Sequence, residues 1–417
     1  MKRRLVVLAG VIFAACAAQT GDADLDSLEA QTECTGAPGQ QLFEQETFGG
    51  NGRTCASCHR DATRTVSPDQ ANALFQANPD DPLFQGDAAD NFGTDAIEIC
   101  VVSSVANACK VKKQGIRCRT KTQGLITFEC ETSFRRFLTH ATINVGITPH
   151  AGVLVDGVGG KVVFLSRGVP TSVNTPALDP VLMFDGRAPD LRAQAASALE
   201  GHAGVTGVCT GDLDAIAGFE QTEFSRPELA AYALGGPTPQ LPPGNTESER
   251  RGRVFFEPGV QFRRRGFCGQ CHGGPMLDTM SVSTEVPAIG DQFPGLFVPA
   301  GDRFITAIVS EANEMSNRTH IWTLLDGPVP RTIVSPDIGR AAITGFWKDV
   351  NKFKIATLWG VSTRGPYFHD SSAKSLAEVV EHYANFMVPI FQPFSGGENL
   401  TLSAQDQADI VAYLELL

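Results

Sequence analysis

The sequence has little positive charge and no apolar run long enough to stay in a membrane as a helix. Its 34 Lys and Arg residues are outnumbered by 46 Asp and Glu residues, which gives a formal net charge of −12 at pH 7. This balance argues against nucleic acid as the main partner, because proteins that bind nucleic acid present basic patches to the phosphates. The apolar run from Leu5 to Ala15 is too short to span a bilayer as a permanent helix. The N-terminal run therefore needs another explanation.

The N-terminus has the pattern of an export signal. Three basic residues, Lys2 to Arg4, precede the apolar run, so residues 1–15 are predicted to be a signal peptide. The segment Phe13-Ala14-Ala15-Cys16 resembles a bacterial lipoprotein signal, in which the cysteine is lipidated, and ordinary cleavage nearby is the alternative. Residues 16–35 would then be a flexible tether. The sequence thus predicts a periplasmic protein that meets the membrane only through a lipid anchor on Cys16.

The sequence contains one distinctive motif twice. Two cysteines three positions apart run directly into a histidine, first in "RTCASCHRD" from residue 53 and again in "FCGQCHGG" from residue 267. CxxCH is the attachment site of c-type haem, in which both thiols bond to the porphyrin and the histidine ligates the iron. The residues predicted to hold two covalently bound haem c groups are Cys55, Cys58, His59, Cys268, Cys271 and His272. A redox dithiol needs no following histidine, and a zinc site would need further ligand pairs that are not evident.

Six further cysteines lie outside these motifs and outside the N-terminal signal: Cys34, Cys100, Cys109, Cys118, Cys130 and Cys209. In an oxidising compartment they are expected to form up to three disulfides, and a second metal site is the less favoured alternative. Their pairing cannot be read from the sequence.

The chain is long enough for two domains, and each half contains one CxxCH motif. The prediction is a mainly α protein with two cytochrome c-like haem domains, 36–240 and 241–417, packed around an interdomain interface. An irregular insertion in the first domain, about 62–170, is predicted to contain a disulfide-linked β-hairpin around Gln114-Gly115. At the C-terminus, Ser403 and Asp406 predict a capping box that starts a helix packed on the second haem module.

Two further segments point to a family. The chain reads "NTPALDPVLMFDGRAPD" from Asn174 and "KIATLWGVSTRGPYFHD" from Lys354. Together with the paired haem sites, these segments resemble the bacterial di-haem cytochrome c peroxidase and MauG family. The resemblance implies that peroxide is reduced at the N-terminal haem and that electrons are relayed through the C-terminal haem.

The resemblance also implies ligands for the second haem. The distal ligand falls on Tyr383, where peroxidases of the family have Met and MauG-type proteins have Tyr. Ser375 and Glu378 predict a capped helix whose apolar stripe includes Tyr383, so that this side chain faces inward, although a packed core tyrosine is the alternative. His369 is expected to position a haem propionate.

The acid–base group of the first haem site departs from the family pattern. The family glutamine is retained as Gln194, but the place of the distal glutamate is taken by Gly204. Glu200 and His202 lie close by, and His202 is predicted to be the substitute because imidazole titrates near neutral pH. No histidine occurs between His59 and His140, so the first site is either open or reached by His140 or His150.

Two other positions bear on the resemblance. Phe184 stands where the family has a tryptophan between the haems, and Phe is oxidised less readily. Asn174, with carbonyl groups near Arg364 and Pro366, matches the positions that hold an interdomain calcium ion in the peroxidases.

The sequence therefore predicts a di-haem oxidoreductase whose substrate is hydrogen peroxide. Its electron donor would be a small cytochrome or, as in MauG, an oxidisable side chain of a partner protein. The rival reading is a di-haem electron-transfer cytochrome that binds no substrate.

Overall fold

The computed structural model of the chain describes residues 33–84, 116–120, 128–132, 135–286, 296–306 and 319–417. The predicted signal peptide, Cys16 and most of the predicted tether lie outside these residues. Within the described ranges the helices are α1 (Gly39–Gln45), α2 (Pro68–Ala77), α3 (Arg135–His140), α4 (Thr175–Leu178), α5 (Leu191–Ala198), α6 (Thr210–Glu220), α7 (Pro227–Ala233), α8 (Glu247–Arg253), α9 (Ala341–Thr344), α10 (Leu376–His382), α11 (Val388–Phe391) and α12 (Ala404–Leu414). Two π-helical turns, Leu199–Ala203 and Tyr383–Met387, continue α5 and α10. None of the helices in these ranges has the length and apolar character needed to cross a membrane.

The strands are short and form small antiparallel sheets. They are β1 (Ile116–Thr120), β2 (Phe128–Thr132), β3 (Thr142–Ile147), β4 (Val153–Val155), β5 (Val158–Gly159), β6 (Val163–Gly168), β7 (Thr284–Val286), β8 (Leu296–Val298), β9 (Phe304–Thr306), β10 (His320–Leu324), β11 (Arg331–Ser335) and β12 (Lys352–Lys354). The largest described sheet has four strands in the order β11-β10-β4-β5.

The first haem motif lies in a module whose opening and closing helices cross closely. Helix α1 packs on α6 because Gly39 has no side chain, and a Cβ atom there would overlap the carbonyl oxygen of Ala215. One turn further along the crossing, the rings of Phe43 and Phe219 lie 5.3 Å apart, centroid to centroid. A glycine at the crossing and an aromatic pair beside it thus fix the contact between the two helices.

The second haem motif lies in a module with the same construction. Helix α8 packs on α12, where a Cβ atom on Gly252 would overlap the carbonyl oxygen of Asp409. The rings of Phe256 and Tyr413 lie 5.4 Å apart. The order glycine, phenylalanine, CxxCH recurs with equal spacing in the two modules, at 39, 43 and 55 and at 252, 256 and 268. The chain therefore contains an internal structural repeat.

The predicted caps are confirmed. Ser403 Oγ accepts a hydrogen bond from the backbone N–H of Asp406, and the Asp406 carboxylate accepts the backbone N–H of Ser403, which together start α12. Ser375 Oγ accepts the backbone N–H of Glu378 at the start of α10. Both helices contribute buried side chains to the core around the second haem motif. These elements could be read locally because a cap satisfies backbone groups within one turn.

The segment 62–170 was expected to be irregular, and that expectation was wrong. Its described part contains α2 and α3, and β3 pairs with β6 in a regular antiparallel ladder. Strand β4 pairs with β10 from the second half of the chain, with Val155 opposite Trp322. A core around the fully buried Trp322 fills the space between these strands. The expectation of a mainly α fold therefore missed a β-rich core that both halves of the chain build.

The hairpin in this segment differs from the expected one. The described partner of β1 is β2, so the connection falls at 121–127 rather than at Gln114-Gly115, and both of these regions lie outside the described residues. The register places Cys118 opposite Cys130. A disulfide within the hairpin stays a prediction.

One of the spare cysteine pairs is a disulfide. Cys34 is bonded to Cys209, which immediately precedes α6. Beside it, the backbone N–H and the hydroxyl group of Thr35 donate to the Asp212 carboxylate at 3.0 and 2.9 Å. This bond ties the first residues of the module to its closing helix, and the other pairings lie outside the described residues or side chains.

Candidate active site

The two CxxCH loops have nearly the same geometry. Each begins with a 3₁₀ turn, Cys55–Ser57 in the first and Cys268–Gln270 in the second. His59 donates from Nδ1 to the carbonyl oxygen of Arg64 at 2.9 Å, and His272 donates from Nδ1 to the carbonyl oxygen of Leu277 at 2.9 Å. This bond fixes each ring and leaves Nε2 as the nitrogen able to ligate iron.

The residue that supplies each accepting carbonyl is in an uncommon conformation. Arg64 has φ 46° and Leu277 has φ 53°, both in the left-handed region that side chains disfavour. Strain of this kind persists where the surroundings require it and is concentrated at functional sites. Its occurrence at matching positions indicates that the orientation of the two histidines is a shared requirement.

The electrostatics of the motifs favour haem attachment over thiol chemistry. Burial raises the pKa of Cys55, Cys268 and Cys271 to about 12, and burial raises the pKa of Cys58 as well. A reactive redox dithiol needs a lowered pKa, so these thiols are not suited to that role. Within the described ranges, no group of three or more His, Cys, Asp or Glu side chains is placed to hold a metal ion.

The histidines are set up as neutral ligands. Burial lowers the pKa of both His59 and His272, which disfavours imidazolium near neutral pH. An imidazole ligates iron through an unprotonated nitrogen. The lowered pKa values and the Nδ1 bonds are both what iron ligation would require, and ligation by these two residues stays a prediction.

A single internal cavity of about 340 Å³ reaches both motifs. Its lining includes His59 of the first motif and Cys268, Cys271 and His272 of the second. Its walls are mostly apolar, as a porphyrin face requires, with a few polar groups among them. The cavity thus brings together the two histidines that are predicted to ligate iron and that the sequence places in different halves of the chain.

Polar groups around the cavity also fit haem, which carries carboxylates at one edge. Arg364 lines the cavity, donates only to the carbonyl oxygens of Gly360 and Thr357, and has no carboxylate partner among the described residues. Burial lowers its pKa to about 10. A buried guanidinium without a counter-ion is a site for an anion. The hydroxyl group of Ser172, also on the cavity wall, is buried without a hydrogen-bond partner.

Residues predicted at the second haem site lie on the cavity wall. His369 is buried and stacks on Phe353 at 3.6 Å between ring centroids. Tyr383 follows α10 in the π-helical turn, as its expected inward direction requires. Burial raises its pKa, and the nearby Cys271 and Cys268 raise it further. The structure therefore brings Tyr383 to the second CxxCH motif, and iron ligation by Tyr383 stays a prediction.

The residues that are predicted to move protons differ in whether they reach the cavity. Gln194 lines the cavity, but His202 and Glu200 are not among its lining residues. The carbonyl oxygen of His202 accepts hydrogen bonds from Asn51 and Arg53, each at 2.9 Å. His202 is close enough to His59 to lower its pKa further, after the larger effect of burial.

The structure also shows where the remaining candidate residues lie. His140 and His150 do not line the cavity, while Phe184 does. Asn174 is fully buried, and its side chain accepts from the backbone N–H of Ser225 and donates to Ser225 Oγ and to the carbonyl oxygen of Trp359. Its amide is engaged by the protein itself, and calcium binding stays a prediction.

The sequence reasoning missed Glu220. This last residue of α6 lines the cavity together with His59 and Gln194, and only 5% of it is exposed. Burial raises its pKa to about 7. The signal that could have found it is the internal repeat, since α6 corresponds to α12 and a carboxylate on the buried side of such a helix is unusual.

A charged cluster between the two sites was also missed. Lys354 lines the cavity and lies 2.6 Å from Asp179, while Arg303 joins Asp179 to Asp278 at 3.2 and 2.6 Å. Asp278 directly follows the residue whose carbonyl holds His272. The backbone N–H of Lys354 donates to the carbonyl oxygen of Phe184 at 2.8 Å. These contacts connect the segment around Phe184 to the second CxxCH loop.

Comparison with known proteins gives weak but consistent similarities. The chain is 26% identical over 179 residues to cytochrome-c peroxidase IdrP1 of Pseudomonas sp. (strain SCT), a match that covers 41% of this chain and 40% of that protein. The matched region therefore spans less than half of this relative. No protein-family model matches the chain. The sequence match supports the resemblance to the di-haem peroxidase and MauG-like family that the motifs indicate.

Two solved structures are also similar. A MauG-like protein associated with microbial copper homeostasis shares 20% identity with a TM-score of 0.38, covering 66% of this chain and 79% of that one. Kuenenia stuttgartiensis hydrazine synthase shares 15% identity with a TM-score of 0.34, covering 80% and 97%.

Proposed function

We propose that this protein is a di-haem c-type oxidoreductase that reduces hydrogen peroxide. One haem c would be bound through Cys55 and Cys58 with His59 as ligand, and a second through Cys268 and Cys271 with His272 as ligand. Peroxide would react on the His59 side of the cavity, and electrons would enter on the His272 side. The observation that carries the proposal is the pair of identically held histidines on one cavity, in a chain similar to a cytochrome-c peroxidase.

The side chains around the cavity have distinct tasks in this proposal. Haem, when bound, supplies an iron site for peroxide and one-electron changes of oxidation state. The carbonyl groups of Arg64 and Leu277 hold the ligating histidines in one orientation. Arg364 would offer its charge to a carboxylate of haem, and His369, held by stacking on Phe353, would position a second carboxylate by a hydrogen bond. Gln194 would hydrogen-bond to peroxide, and His202 and Glu200 remain candidates for moving its proton.

The donor and the cellular location are proposals as well. A small cytochrome or an oxidisable side chain of a partner protein would supply the electrons. The basic residues before Leu5 and the segment ending at Cys16 support export to the periplasm and a lipid anchor. Asn174 with the carbonyl groups near Arg364 and Pro366 would hold a calcium ion. The alternative is a di-haem electron carrier that binds no substrate.

Haem content and peroxide reactivity test the proposed function. Matured wild-type protein should contain two haem equivalents by the pyridine haemochrome assay, and a Cys55→Ser/Cys58→Ser variant should contain one. Wild type should consume peroxide with a reduced cytochrome, whereas the variant should lose this turnover. Substitution of the Cys34–Cys209 pair by serine is the control, because it changes two cysteines without touching a haem motif. Fewer than two equivalents in wild type, or a spectrum unchanged by peroxide, would refute the enzyme reading.

Iron ligation by Tyr383 is tested by the spectra of the bound haems. If Tyr383 ligates the second iron, Tyr383→Phe removes the ligand oxygen but keeps the ring, so the absorption and EPR signals of one haem should change from six- to five-coordinate. Tyr367→Phe is the matched control, because Tyr367 also lines the cavity but donates its hydroxyl proton to the carbonyl oxygen of Val361. An unchanged spectrum in Tyr383→Phe would place the distal ligand elsewhere.

A further inference from the structure

Glu220 is a buried carboxyl group without a partner. Its Oε2 has no hydrogen-bond partner, and it forms no ion pair within the described part of the chain. It nevertheless lines the same cavity as His59 and Gln194, and it lies close enough to Cys55 of the first CxxCH motif to raise the pKa of that thiol further. Burying a carboxylate without a compensating partner is costly, so its place needs an explanation other than stability.

The internal repeat shows that packing does not require a carboxyl group there. Phe219 on α6 corresponds to Tyr413 on α12, since each pairs with the phenylalanine that lies four residues after the crossing glycine, Phe43 or Phe256. Glu220 therefore corresponds to Leu414, which also lines the cavity. An apolar side chain fills this place in the second module, whereas an ionisable one fills it in the first.

Neighbouring charges do not balance Glu220. On the helices packed against α6, Glu44 of α1 is paired with Arg64, and Arg192 of α5 is paired with Asp214. Arg64 also holds Glu223. Cys55 lies close enough for Glu220 to raise the pKa of its thiol, and this sulfur would carry no charge once it is a thioether. The charge of Glu220 is thus set by the cavity and its contents.

We propose that Glu220 is the proton-exchanging residue of the His59 side of the cavity. It takes one proton from water at its carboxylate when one electron from a one-electron protein donor enters the haem held by His59, and it returns that proton during peroxide reduction. The overall reaction consumes one peroxide, two electrons and two protons and yields two waters, and Glu220 would carry one of those protons. This inference rests on the proposed function.

The sign of the pH dependence follows from the charges. Added electron density in the cavity disfavours the carboxylate, so reduction raises the proton affinity of Glu220. Below about pH 7 Glu220 is already protonated, and the reduction potential should not depend on pH through this residue. Above that pH, reduction should take up a proton, and the potential should fall by up to about 59 mV per pH unit, the value for a tenfold change in a one-electron couple.

Redox titration of the intact di-haem protein tests this inference, with the reduction potentials measured between pH 5 and 9 at intervals of about one pH unit. In the wild type, the reduction potential of the first haem should fall with pH above about pH 7. Glu220→Gln should lose this pH dependence because the amide does not ionise. Glu220→Leu, which copies the second module, should lose it too and is the second variant if Gln impairs folding. Glu228→Gln, at an exposed position on α7, should keep the slope. A slope that persists in both Glu220 variants, or that wild type lacks, would overturn the inference.

Peroxide kinetics separate this inference from the proposed function. Glu220→Gln should slow peroxide reduction by about 10²-fold or more, the usual effect of losing an acid–base group, and should leave haem content at the wild-type value. If wild type does not reduce peroxide, the proposed function fails, while the redox titration still decides whether Glu220 exchanges a proton. If His202→Ala slows the reaction and Glu220→Gln does not, the proton is carried by His202 and the inference is wrong.

Discussion

Gly252→Ala should destabilise the second haem module by about 3 kcal/mol, the upper range for forcing extra atoms into a packed core. The new Cβ atom would overlap the carbonyl oxygen of Asp409, and backbone cannot move aside as a flexible side chain can. Helices α8 and α12 would have to separate, which would loosen the contact between Phe256 and Tyr413. Urea unfolding followed by far-UV circular dichroism measures the change, and the Soret band reports the haem environment.

Two further glycine variants make this prediction specific. Gly39→Ala should have the same effect on the first module, because its Cβ atom would overlap the carbonyl oxygen of Ala215. Gly218→Ala is the control: this α6 position is exposed and has no atom near the added Cβ, so alanine should stabilise by about 0.5–1 kcal/mol. Equal unfolding midpoints for Gly252→Ala and Gly218→Ala would show that the close crossing is absent.

Arg167→Met should cost about 3–5 kcal/mol, the range for removing one partner of a buried ion pair. Arg167 on β6 is 1% exposed and donates through Nε and Nη2 to the two carboxylate oxygens of Asp337, at 2.9 and 3.0 Å. It also donates through Nη1 to Asp185 at 2.5 Å. Methionine fills a similar volume but leaves both aspartates without this charge. Thermal or urea unfolding of the haem-loaded protein measures the loss.

The control for Arg167 is a pair on the surface. Arg192 and Asp214 are both about half exposed, so Arg192→Met should change stability by no more than about 1 kcal/mol. A double variant, Arg167→Met with Asp337→Leu, should recover part of the loss because it removes one of the stranded charges. If Arg167→Met is as stable as Arg192→Met, the buried network does not hold the β-rich core to the segment around Asp185.

The pH dependence of this network has a definite sign. Burial alone would raise the pKa of Asp185, but the charges of Arg167 and Arg187 outweigh burial and lower it. A carboxyl group with a lowered folded-state pKa stabilises the fold above its unfolded pKa and loses that contribution as the pH falls through the folded value. Acid should therefore weaken the wild type more than Arg167→Met.

The haem motifs and the caps could be predicted because their information is local. CxxCH places two thiols and a ligand within five residues, and a cap such as Ser403 with Asp406 acts within one turn. The resemblance selected Tyr383, and its inward direction also followed from local pattern, because Ser375 caps α10 and the apolar stripe of that helix includes Tyr383. The crossing glycines Gly39 and Gly252 could have been found by comparing the two motifs and their spacing.

The β-rich core could not be predicted because its pairings are distant in sequence. Val153 of β4 is paired with Leu324 of β10, and neither short strand contains a sequence pattern that identifies the strand it pairs with. The segment 62–170 consequently read as an insertion rather than as half of a shared core. For the same reason Arg167, Asp185 and Asp337 were three unrelated residues until the fold placed them together.

The sequence by itself determined two CxxCH motifs, one in each half of the chain, from which covalent haem attachment and a ligating histidine are predicted. That information lies in contiguous residues, where spacing alone brings reactive groups together. Only the tertiary structure decided that residues of both motifs line one cavity, that Glu220 rather than His202 lines it, and that Arg364 faces it with no carboxylate partner among the described residues. These features depend on which distant segments bury each other, and burial changes the behaviour of a carboxyl group more than its neighbours in the chain do.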